Sequence, residues 1–155
     1  VVTVRDAGEV EMPPFESMTS TVSGAGILGE YEAPTPGHFG SMEQEIPFRC
    51  INRDYFNMVD PTQPLELTLR GAIQYAAAST QATEYMGMRV VFRGKPKNAN
   101  IGTVRQRGSM DSTITLELTY VLVEMDGMSM IEIDKINPTY KVNGNDVLSK
   151  VKQLT

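Results

Sequence analysis

The chain has 155 residues, a formal net charge of -5, one cysteine, one histidine and no tryptophan. A domain of that length buries roughly 70% of its unfolded surface without metals or disulfides; a lone cysteine excludes an internal disulfide, and a lone histidine leaves no His/Cys cluster for a transition metal. No apolar run approaches the roughly 20 residues that cross a bilayer, and no leader-like segment follows Val1, so the expectation is one soluble, cytosol-made domain over 1–155.

Phe15 to Val22 is rich in Ser and Thr, and Ser41 to Cys50 sets Glu43 and Glu45 against Met42, Gln44, Ile46 and Phe48. Both read as strands with one solvated face, and Cys50 reads as a small buried thiol. Between them, Gly24 to Gly40 holds five glycines with Pro34 and Pro36 and reads as a long loop. A solvated linker would not keep Ile27, Leu28, Tyr31 and Phe39, which point to a loop that orders against a partner. Asn52 to Val59 predicts a short helix stopped before Pro61.

Leu65, Leu67, Leu69, Gly71 and Ile73 alternate with Glu66, Thr68, Arg70, Ala72 and Gln74; Met86, Met88, Val90 and Phe92 alternate with Tyr85, Gly87, Arg89 and Val91. These are two more strands. A second long loop is expected over 94–108. After it, Ile114, Leu116, Leu118, Tyr120 and Leu122 form a dry face against Thr113, Thr115, Glu117, Thr119 and Val121. Asp126-Gly127 supplies the positive-φ pair of a two-residue hairpin turn, and Pro138 confines its own stretch of chain to an edge or loop. Asn145 is the expected cap of a helix over about 146–153, with Val147, Leu148 and Val151 as its apolar stripe. The predicted fold is mainly β: an antiparallel sandwich or partly closed barrel with one or two short peripheral helices.

Charge is unevenly spread. Residues 1–66 carry eleven acids against three bases, whereas 89–107 carries six bases (Arg89, Arg93, Lys95, Lys97, Arg105 and Arg107) and no acid. Three readings of the basic segment stand: a nucleic-acid patch, a solvated loop, or a contact with an acidic surface of another subunit. A single aromatic, Phe92, and the acidic whole count against the first.

Catalytic chemistry finds no purchase. His38 has no histidine or cysteine partner, and Gly24-Ala25-Gly26-Ile27-Leu28-Gly29 has dinucleotide-binding spacing but opens no βαβ unit. Glu43 and Glu45 lack the opposed acids and aromatic platforms of a glycosidase, and Asp126, Glu132 and Asp134 do not match a calcium loop. No enzyme, cofactor or metal is expected.

In order, the chain presents Val10-Glu11-Met12-Pro13, the glycine-rich turn from Gly24 and Arg89-Val90-Val91-Phe92-Arg93-Gly94-Lys95. It closes with Asp126-Gly127, Glu132-Ile133-Asp134, Ile136-Asn137 and Val142-Asn143-Gly144. Over nearly its whole length it resembles the major tail tube proteins of contractile-tailed bacteriophages. The family usually carries an additional N-terminal segment, so a chain that starts at Val1 reads as either processed or lacking upstream residues.

The resemblance implies hexameric rings stacked helically into a hollow tube inside a contractile sheath, in a virion assembled in the bacterial host cytoplasm. It also implies sheath, baseplate and tail terminator proteins as partners, with tape measure protein and DNA in the lumen and no sequence-specific DNA binding. Under that reading Glu43, Glu45, Thr113, Thr115, Glu117 and Thr119 are candidate lumen residues. Ile27, Leu28, Tyr31, Phe39, Arg93, Lys95, Lys97, Arg105 and Arg107 are candidate contacts between subunits or rings. The tube of a headless R-type bacteriocin or other contractile injection system is the near alternative, and a monomeric ligand-binding β-sandwich the alternative of a different class.

Overall fold

The computed structural model describes residues 10–154; of the N-terminal charges, Arg5, Asp6 and Glu9 lie outside that range. Its elements in chain order are β1 (Ser17–Val22), β2 (Tyr31–Phe39), β3 (Glu43–Phe48), α1 (Arg53–Asn57), β4 (Leu65–Ala76), β5 (Thr83–Asn100), β6 (Ser112–Met125), β7 (Met128–Asp134), β8 (Thr139–Val142), β9 (Asn145–Asp146) and α2 (Ser149–Leu154). All pairing is antiparallel. The predicted mainly β, sandwich-like class with two short helices is what is observed, without closure into a barrel.

β5 and β6, of 18 and 14 residues, form the spine of a seven-stranded sheet ordered β4-β5-β6-β7-β8-β9. β3 pairs with the first half of β6 and β7 with the second half. The core lies on one face, where Ile114, Leu116 and Leu118 of β6 meet Ile46 and Phe48 of β3 and Val90 and Phe92 of β5. Tyr55 of α1 closes it, with its ring edge-on to Phe48 at 5.3 Å and its hydroxyl donating to the Asn100 carbonyl at 3.0 Å. Burial raises the pKa of that phenol. Asn52 caps α1 as its Oδ1 accepts the Tyr55 amide at 3.0 Å.

The polar C-terminal signature acquires a physical meaning. Asp126-Gly127 and Asn143-Gly144 hold φ of 49° and 76°, and of 51° and 78°, the left-handed pairs of two tight hairpin turns. Between them, Asp134 Oδ1 accepts the amides of Ile136 and Asn137 at 2.9 Å each, fixing the β7–β8 connection. Burial pushes the Asp134 carboxyl up, but the bonds from Asn137 and Ile136 and the charge of Arg93 together hold it below its ordinary value.

Five expectations are corrected. First, Tyr31–Phe39 of the expected 24–40 loop is a strand, because its residues satisfy their backbone against β1. Second, the expected 94–108 loop is strand through Asn100, paired to β6, so only residues 101–111 connect β5 to β6. Third, the β6 alternation fails at Thr119, where a bulge pairs Arg93 with Tyr120 and Gly94 with Leu118. The extra residue swaps faces, burying Val121 completely and turning Tyr120 to the polar side. Fourth, Cys50 is exposed, since β3 ends at Phe48 and the chain bends away. Fifth, Asn145 is strand, and the helix waits until Ser149, with Asp146 Oδ1 accepting the Leu148 amide at 2.9 Å.

Candidate functional site

Residues directly opposite in an antiparallel ladder share a face. Across β3, β6 and β5 the opposed sets are Glu43, Glu117 and Lys95; Glu45, Thr115 and Asn98; and Pro47, Thr113 and Asn100. The sheet thereby brings Glu43, Glu45, Thr113, Thr115 and Glu117 into one contiguous patch on the face away from the core. Thr119 lies in the bulge, its hydroxyl 3.4 Å from the Arg93 carbonyl.

Two carboxylates opposed in this way repel unless something lies between them. Lys97, lifted by the second β5 bulge, supplies that charge: its ammonium pairs with Glu43 and sits 3.6 Å from Glu117 Oε2. Ser41 donates its hydroxyl to Glu117 at 2.7 Å. The bond to Glu43 raises the Lys97 pKa, with the charges of Glu43 and Glu117 adding to it against desolvation, so the ammonium is charged at neutral pH.

The separation of acidic and basic halves in sequence does not survive folding. β5 runs between acidic strands, so Arg93 pairs with Glu66 at 2.7 Å while its guanidinium lies 4.6 Å over the Tyr120 ring. Arg89 pairs with Glu124 at 2.7 Å. Arg93, Lys95 and Lys97 thus join the polar face of the sheet, and the face is a mosaic of alternating charges. Arg105 and Arg107 stand apart in the 101–111 connection, Arg105 paired with Asp111 at 3.0 Å and Arg107 at a left-handed φ of 63°.

Two hairpins leave the body of the domain. The β1–β2 arm carries Ile27, Leu28 and Tyr31 at or near its tip, with Leu28 wholly exposed. Phe39, at the arm's base, packs inward edge-on to Tyr140 at 5.0 Å. The second arm, the distal ends of β4 and β5, was not foreseen as an arm. Beyond Leu69 every β4 residue is exposed, including Ile73 and Tyr75, and Tyr85 stands opposite on β5. Its signal in the sequence was the small-residue run Gly71, Ala72 and Ala76, with Gly87 opposite Ala72, which makes a ribbon too thin to cover itself.

Among the described residues no group of three or more His, Cys, Asp or Glu side chains is placed to hold a metal ion; the fold presents an amphipathic sheet with a mosaic polar face, free edges and protruding arms. The sequence profile of the phage tail tube protein FII family matches residues 2–154, and the chain belongs to that family. It is also similar to the tail tube protein of Escherichia phage P2, at 39% identity over 67 residues, 43% of this chain. That match spans 39% of the P2 protein's length. That family is one of structural tail tube proteins. No helix among the described residues is long and apolar enough to cross a membrane.

Proposed function

We propose that six copies of this chain form a ring, and that rings stack helically into the hollow tube of a contractile tail. A sheath surrounds the tube, a baseplate and a terminator bound it, and tape measure protein and then DNA occupy the lumen. The observation that carries this reading is the opposed patch of Glu43, Glu45, Thr113, Thr115 and Glu117 with its lysine already paired. Carboxylates and hydroxyls repel phosphate or engage it weakly, and a lysine held by glutamate offers little to a passing backbone. Such a wall lets DNA slide.

β4, β3 and β9 each have a strand partner on one side only among the described residues. Unpaired edges invite pairing with another chain, and in a ring they join the sheets of neighbouring subunits into one continuous wall. Arg107 and Arg105, outside the sheet and the latter paired with Asp111, are basic residues placed for ring-to-ring contact. Negative-stain microscopy of the purified protein tests the reading: hollow tubes built of six-fold rings support it, and a protein monomeric at all concentrations refutes it.

A further inference from the structure

The apolar face of the sheet continues beyond the core. Leu69, Val90, Val123 and Ile131 lie in one row across β4 to β7, with Val90 fully buried. The next row outward on the same face is Gly71, Met88, Met125 and Met128, each directly opposite its neighbour. Side chains opposed in this way reach one another, so three thioethers stand side by side.

The row is graded in exposure. Met128 is 66% exposed, Met125 and Met88 are half-buried, and Met88 packs against the core. At the far end the Met88 methyl lies over Gly71, where an added Cβ would be 3.9 Å away. The other methionines supply the contrast. Met42 and Met58 are buried, whereas Met18, 57% exposed, falls in the β1–β2 bulge with no methionine opposite it.

We propose that this methionine row is a site of stepwise oxidation by hydroperoxides, entered at Met128. In each step a lone pair on the thioether sulfur attacks the outer peroxide oxygen and the O–O bond breaks. The departing oxygen takes up the proton and leaves as water or an alcohol. The sulfur loses two electrons, the peroxide gains them, and the product is methionine sulfoxide. The order follows from exposure and polarity. While apolar, the Met128 side chain shields the Met125 sulfur across the ladder. A sulfoxide is polar and is drawn to water instead of lying on an apolar neighbour. Conversion of Met128 therefore uncovers Met125, and conversion of Met125 uncovers Met88. The first oxygen falls on a side chain with little packing, and the last falls against the core.

Limiting hydrogen peroxide, followed by peptide mass mapping and thermal melts, tests the order. Met128 and Met18 are expected to oxidise first, Met125 and then Met88 after a lag, and Met42 and Met58 last. The melting temperature is expected to hold while Met128 converts and to fall once Met88 does. Met128→Leu keeps the apolar cover and removes the sulfur at nearly constant volume. It is expected to slow oxidation of Met125 and Met88 severalfold, while Met18→Leu leaves both rates unchanged. Met125 oxidising without a lag in the wild-type protein, or equally fast in Met128→Leu, overturns the entry through Met128. Met128 oxidising no faster than Met42 overturns the site altogether.

Discussion

Glu43 and Glu117 face each other directly across the β3–β6 ladder, with the Lys97 ammonium between their carboxylates. The arrangement makes one lysine responsible for holding two like charges side by side. Lys97→Met is expected to lower the melting temperature, and more at low ionic strength, where the uncompensated pair is least screened. Adding Glu43→Gln to that variant is expected to restore part of the loss. Thermal melts of the three proteins at two salt concentrations check it.

Gly94 sits where the first β5–β6 bulge brings two backbones together, and a Cβ there would lie 2.9 Å from the carbonyl carbon of Glu117 and 3.2 Å from the Cα of Leu118. Neither neighbour is a flexible side chain that can yield. Gly94→Ala is expected to destabilise the domain by roughly 1–3 kcal/mol or more, read by urea denaturation. It is also expected to loosen the bulge that turns Tyr120 outward. Gly24→Ala, where nothing lies within 4 Å, is the control.

Tyr55 is fully buried, and its hydroxyl is 3.0 Å from the Asn100 carbonyl and 3.3 Å from that of Thr113, the two ends of the β5–β6 connection. Removing the donor leaves these part-buried acceptors without that bond. Tyr55→Phe is expected to cost about 1–3 kcal/mol, and Tyr55→Ala about 3–5 kcal/mol through the added cavity. Hydrogen exchange at residues 101–111 should quicken in both.

Much of this fold was legible because alternation reports burial directly. Met42, Gln44, Ile46 and Phe48 are buried as their period demands, and Asp126-Gly127 turns where it should. What escaped was long-range. Pro34, Pro36 and Gly37 read as loop residues, yet an edge ribbon tolerates them because one side of each strand needs no ladder bond. The Thr119 bulge is invisible in β6 alone, since it arises from how β5 pairs with it. The mosaic polar face was hidden for the same reason: only the register shows that Lys95 stands beside Glu117. Of the six candidate lumen residues, Glu43, Glu45, Thr113, Thr115 and Glu117 share one polar face as their periodicity implied and Thr119 falls in the bulge, while the lysine and serine that bind the carboxylates came from the fold.

Asp134 links the family signature to acid stability. Its carboxyl is held below its ordinary value of 3.8 in the folded chain, so its contribution is fully present above that value and is lost as pH falls through the lower folded one. Asp134→Ala is expected to remove about 1 kcal/mol at neutral pH and to flatten the loss below about pH 4. Denaturation midpoints between pH 2 and 7 for the two proteins show whether the difference closes in acid.

The central claim is that the polar face of the β3–β6–β5 sheet looks into a channel. A helical reconstruction of the assembled tube by electron cryomicroscopy reads this directly. The account predicts Glu45, Thr115 and Glu117 pointing toward the tube axis, with Ile46, Leu116 and the rest of the core behind them. Those three side chains pointing outward, with another surface of the chain lining the lumen, would contradict it.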